Sequence, residues 1–200
     1  MRYRLTPILM LIALTVPCLA GAEGIYLGSG IGLGIPTPEI HPLGKELGQD
    51  PGFAWEALAL GYDSGNWGVG VQWGGAGGDY YSDFFGDGAW SLEYVTLSAR
   101  YLLIARGPIN PYLEIGAGGY VYSLTNDLAD IESNAVPGLR LAAGAKFNLG
   151  PLYVATEFDY HAADFSDADI DTSYAHSRLN LDSRVDLLSL LVKTGIQARD

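Results

Sequence analysis

Residues 110–124, NPYLEIGAGGYVYSL, read as a strand with a polar and glycine-rich face. Leu113, Ile115, Ala117 and Val121 alternate along one side. Glu114 sits between two of them, followed on its own side by Gly116, Gly118 and Tyr120. Period-two alternation is the signature of a strand with two unlike environments. Glycine weakens a strand interior and an isolated buried carboxylate is expensive. A fold that accepts this stretch must therefore supply a narrow polar interior and an apolar exterior.

The same alternation recurs outward in both directions. In 67–73, Trp67, Val69, Val71 and Trp73 oppose Gly68, Gly70 and Gln72. In 139–147, Leu139, Leu141, Ala143, Ala145 and Phe147 oppose Arg140, Ala142, Gly144 and Lys146. In 152–160, Leu152, Val154, Thr156, Phe158 and Tyr160 oppose Tyr153, Ala155, Glu157 and Asp159. In 24–34, Ile25, Leu27, Ile31 and Leu33 oppose glycines at 28, 30, 32 and 34. The pattern predicts eight strands, near 24–34, 53–62, 67–74, 91–103, 111–123, 137–148, 152–162 and 185–197. Their connections alternate long and short. The short ones lie near 63–66, 104–110 and 149–151; the long ones near 35–52, 75–90, 124–136 and 163–184. The reading is all-β: an eight-stranded antiparallel up-and-down transmembrane barrel, apolar outside and small or charged inside, with short periplasmic turns and four long external loops.

Inside such a tube the charges need partners. Pairing across the 104–110 turn puts Arg100 opposite Glu114. Pairing across the 149–151 turn puts Arg140 opposite Asp159 and diagonal to Glu157. Lys146 and Lys193 fall on the same inward faces. Arg100, Glu114, Arg140, Lys146, Glu157, Asp159 and Lys193 are thus expected to form a lumenal charge network that fills the tube, eight strands leaving little continuous channel. Glu56 and Glu93 carry the parity of the lipid-facing residues. Each lies at headgroup level or is turned inward by a bulge. Trp67, Tyr112 and Phe147 suit an interfacial aromatic girdle.

The chain's 200 residues suffice for one domain. Arg2 and Arg4, an apolar run and the AGA at 20–22... mark residues 1–22 as a cleaved secretory signal, leaving 23–200 as the barrel domain. A membrane anchor is the alternative, but the run is short for a span. Cys18 is the only cysteine and follows Pro17, which does not suit a lipid-modified cysteine, so no disulfide framework is expected. The formal charge is −12; without 1–22 it becomes −14, with 9 basic residues against 23 acidic ones. Such a chain repels nucleic acid.

The segments EALALGYDSGNWGVGVQW, NPYLEIGAGGYVY and the terminal VKTGIQARD resemble the small outer-membrane barrels of the OmpA/OmpX type. That resemblance implies a cell outer membrane location, contact with outer-membrane lipids and lipopolysaccharide, folding by the barrel-assembly machinery, and a monomer. Gly195, Ile196 and Arg199 fit the terminal strand of such families, whereas Ala198 and Asp200 stand at its aromatic places.

Catalytic signals are thin. His161 is followed by two alanines and His176 directly by Ser177, so neither makes the His-x-Ser pair of barrel deacylases. With His41, they read as loop or rim polarity. No cofactor is implied. Asp167, Asp169 and Asp171 have the spacing of a calcium loop, but Thr172 and Arg178 replace its glycine and glutamate, so a solvated acidic loop is the simpler reading. Tyr80, Tyr81, Phe84 and Phe85 gather at the tip of a long loop as contact candidates. The functional expectation is a non-enzymatic envelope protein acting in envelope integrity or surface interaction through acidic and aromatic loops. A narrow channel for small or apolar solutes and a lipid A-modifying enzyme are the alternatives.

Overall fold

Backbone hydrogen bonds in the computed structural model close a ring of eight long antiparallel strands. The structure describes residues 24–37, 48–83, 86–105, 107–126, 130–165, 170–172 and 184–198. In ring order the strands are β1 (Ile25–Thr37), β3 (Gly52–Ser64), β4 (Trp67–Tyr81), β5 (Gly88–Leu102), β6 (Ile109–Thr125), β8 (Val136–Leu149), β9 (Leu152–Asp164) and β11 (Arg184–Gln197), the last pairing with β1. Three short strands extend the loop side: β2 (Gly48–Gln49) on β4, β7 (Asp130–Ser133) on β6, and β10 (Ile170–Thr172) on β7.

Following paired residues once around the ring gives the stagger. Trp67 leads through Tyr101, Leu113, Ala143, Phe158, Leu190, Leu33 and Phe53 to Gly77, ten residues further along β4. That shear tilts the strands by roughly 40° and leaves an interior that side chains can fill. The turns are as tight as their glycines allow. Gly65 and Gly150 take φ values of 58° and 73°, which a side chain resists, in the β3–β4 and β8–β9 reversals.

Alternation decides which face each residue meets. Ile31, Leu33, Leu97, Ile115, Leu139 and Leu190 stand on the outer wall, each more than half exposed. In a bilayer that wall meets acyl chains. The lumen has two layers. Its loop-side half is apolar and aromatic, with Tyr80, Trp90, Leu92, Tyr94, Tyr120 and Tyr122 packed with Phe165 and Leu187. Its turn-side half holds the charges.

Strand lengths differ from the sequence reading in one region. The connection expected over 75–90 is largely strand: β4 runs to Tyr81 and β5 begins at Gly88. Glycine depresses strand propensity, which hides the GGAGG run at 74–78. Here the glycines make room instead: a Cβ on Gly74 would stand 2.7 Å from the Tyr94 hydroxyl, and one on Gly75 3.0 Å from the Trp55 ring. This extension also corrects the place of Tyr80. It is 3% exposed inside the barrel, its hydroxyl accepting from Asn126 Nδ2 at 3.1 Å. Strand parity turns it inward while Tyr81 faces out, 55% exposed. Phe84, Phe85, the segment 1–22, His41, His176, Asp167 and Asp169 lie outside the described residues; Asp171 belongs to β10 by its backbone.

Candidate functional site

The turn-side half of the lumen carries the dense chemistry. Arg100 on β5 is paired in register with Glu114 on β6, and Arg100 Nε donates to Glu114 Oε2 at 2.7 Å. The guanidinium lies between the Tyr26 and Tyr112 rings, 4.7 and 4.4 Å from their centroids. Glu114 also accepts from Gln72 Nε2 at 2.8 Å and from Arg140 Nη1. Arg140, fully buried, reaches Glu157 Oε1 and Asp159 Oδ1 through Nη2, both at 2.6 Å. Lys193 Nζ lies against Glu157 and donates to Glu56 Oε2 at 2.8 Å. Lys146 Nζ crosses to Asp63 Oδ2 at 2.7 Å.

These contacts trace a continuous belt. From Gln72 and Arg100 it passes through Glu114, Arg140, Glu157 and Lys193 to Glu56, visiting β4, β5, β6, β8, β9, β11 and β3. Strand β1 contributes Gly30 at the point where the belt passes over it. Every ionisable group here is about 6% exposed or less, so its worth depends on its partners. Removing one partner leaves the other desolvated and unpaired.

Several positions differ from the sequence reading. Arg140 faces His161 in register, not Asp159, because the β8–β9 turn occupies Gly150 and Pro151 and shifts the count; the long guanidinium still reaches both acids. Glu56 points inward, since one extra residue at Ala57 forms a bulge against both β1 and β4 and reverses its parity. Glu93 has no bulge nearby and stays on the outer wall, exposed. Tyr112 does not belong to the girdle: it is 2% exposed, stacked on Arg100, with its hydroxyl donating to Glu157 at 2.5 Å. Trp67 and Phe147 do face outward, Trp67 packing against Tyr101 at 4.8 Å between centroids.

His161 is not a rim residue. It is fully buried, its ring 4.3 Å from the Tyr94 ring and its Nδ1 3.1 Å from the Tyr120 hydroxyl. The sequence signal was there: His161 continues the inward parity of Glu157 and Asp159. Asp63 and Glu56 likewise join the network. Among the described residues the lumen thus holds four cations and five acids. Asp63 falls at a turn boundary, where parity is hardest to assign.

Arrangement and sequence point to one family. The chain matches the outer membrane protein beta-barrel domain over residues 6–182. It belongs to that family. The protein therefore sits in the outer membrane as a closed barrel. Neisserial surface protein A is similar in structure, with a TM-score of 0.61 at 15% identity, over 86% of this chain and 96% of that one. OprG of Pseudomonas aeruginosa gives 0.62 at 14%, over 90% and 97%. Ail, the attachment invasion locus protein of Yersinia pestis, solved with the heparin analogue sucrose octasulfate, gives 0.55 at 15%, over 88% and 99%. At these identities the likeness is one of fold. No curated protein sequence matches the chain.

Proposed function

We propose that this barrel is a non-enzymatic surface-contact protein whose tube is closed by its own charges and whose external loops meet a cationic partner. The observation that carries the reading is the distribution of charge. The stretches 37–51, 79–87, 126–133 and 164–186, which join or end strands on the loop side, hold fifteen of the 23 acidic residues and three of the 11 basic ones. A potential of that sign draws cations and repels polyanions, and it weakens with salt. A heparin-like ligand of the kind seen with Ail suits this surface poorly. The lumenal belt supports a plug in preference to a conduit, and the burial of His161 inside it supports a non-catalytic role. Residues 1–22 direct export, and the chain works as a monomer among outer-membrane lipids and lipopolysaccharide after delivery by the barrel-assembly machinery.

The test is titration of the barrel in lipid nanodiscs with polylysine and with heparin. Polylysine should bind, with affinity falling as ionic strength rises, and Asp79→Asn/Asp87→Asn/Glu132→Gln should weaken it. Heparin binding equal to or above polylysine binding would overturn the reading. A second reading, a passage for small apolar solutes, draws on the apolar loop-side half of the lumen. It requires solute uptake that survives loss of the acidic loop residues.

A further inference from the structure

The seam between β1 and β11 is the one strand pair of the ring that no loop joins directly. Strands β3–β4, β5–β6 and β8–β9 are joined by short turns whose length sets their register. No connection links β1 directly to β11, and β1 reaches β3 only through residues 38–51. The pattern of β1 sets register only weakly. Beyond Tyr26 at the turn-side end, its inward face over 28–34 is Gly28, Gly30, Gly32 and Gly34; its outward face is mostly Leu and Ile. A slip of two residues keeps every side chain on its own side, and over 26–34 only Tyr26, seated against Arg100, is displaced from an inward contact. Yet a slip of two changes the shear and thus the tilt and bore of the tube.

We infer that the Lys193–Glu56 ion pair, seated over Gly30, is the register lock of barrel closure. Three independent features meet there. Gly30 is the β1 residue paired with Lys193 on one side and with Glu56 on the other. A Cβ on Gly30 would stand 2.9 Å from Lys193 Cγ, so the lysine stem lies across the bare backbone of β1. The bulge at Ala57 exists where Glu56 must turn from lipid to lumen to meet it. Both side chains are buried, at 4% and 0% exposure, so a slip that separates them leaves Glu56 desolvated without its cation and Lys193 with Glu157 alone. Glu157 holds the ammonium from the β9 side and keeps it aimed at the seam. Buried ion pairs that specify registry are a recognised use of an otherwise weakly stabilising interaction. Lys146–Asp63 also joins late strands to early ones, across the tube and not along the seam.

Disulfide trapping across the seam reads the register directly. In a Cys18→Ser background, Ser29→Cys with Thr194→Cys reports the native register, since these outward residues are paired. Ser29→Cys with Val192→Cys, or with Ile196→Cys, reports slips of two in either direction. The full chain is refolded into detergent, folded protein is isolated by its heat-dependent gel mobility, and the cross-links are quantified. With Glu56 and Lys193 intact the native pair should dominate. Glu56→Gln/Lys193→Met should raise the slipped cross-links roughly tenfold relative to the native one. Glu56→Gln alone, the milder change, should move them in the same direction. Gln72→Leu removes a partner of Glu114 on β4, where, among the described residues, Gln72 bonds only to β5 and β6 side chains, and should leave the seam pattern unchanged. The inference falls if Glu56→Gln and the double variant cross-link as the parent does, or if Gln72→Leu produces the same slippage, which would make slippage a general consequence of lost stability.

Discussion

Glu114 shows how one residue can be unacceptable locally and required globally. Facing lipid, a carboxylate with no partner would oppose insertion. Facing the lumen, it accepts from Arg100, Arg140 and Gln72 at once. Glu114→Ala strips two arginines of a partner, and a loss of about 3–5 kcal/mol is expected for breaking a buried pair of this kind. Thermal or urea unfolding in detergent checks it. Arg100→Ala/Glu114→Ala should lose less than the sum of the two single losses, because the second change removes a charge already stranded. Strictly additive losses would refute the coupling. The restoration should be partial, since Arg140 keeps Glu157 and Asp159 but still lacks Glu114. The pairing of Arg100 with Glu114 was readable from turn position alone, because a short reversal converts sequence distance into register. The partners of Arg140 were only approximately so, for a two-residue turn moves the register while a long side chain compensates.

At the scale of an element, the glycines of these strands differ in what they leave room for. Gly144 on β8 faces the lumen, where a Cβ would stand 2.6 Å from the Tyr112 ring. Gly144→Val should push Tyr112 off Arg100 and lower stability by about 1–3 kcal/mol, the usual range for overpacking. Gly119 on β6 faces out, and an added Cβ would meet nothing within 4 Å. Gly119→Val should be neutral or stabilising by the same melt, since a β-branched residue suits a strand better than glycine. Equal losses at both sites would mean that lumenal space is not what separates them. The distinction explains the missed ends of β4 and β5. Propensity reads GGAGG as a break in the strand, whereas all five residues are paired with β5 and the first four with β3 as well. Aromatic residues from neighbouring strands fill the space that the glycines leave. The local sequence leaves Glu56 two places, at headgroup level or turned inward by a bulge; the choice depends on Lys193, 137 residues away in the chain.

For the whole molecule, the layered lumen predicts a closed tube. Apolar packing seals the loop-side half and the ionic belt crosses the turn-side half. Reconstituted in planar bilayers, the protein should conduct negligibly at moderate voltage, and Arg140→Ala should be the variant that raises conductance, since Arg140 touches three acids, on β6 and β9. A parent protein with steady, large conductance would contradict the plug. Unboiled and boiled samples should run differently on gels, because a ring of strands with no open edge resists detergent until heated.

Alternation in single segments determined the strand count, the inversion of faces and the bilayer that this inversion demands, because each is a property of residues two apart. Gly30 beneath Lys193, the inward turn of Glu56 and the span from Lys146 to Asp63 were decided only when the sheet closed. Closure brings together strands far apart in the chain, and no local period records which residue will stand across a tube from which.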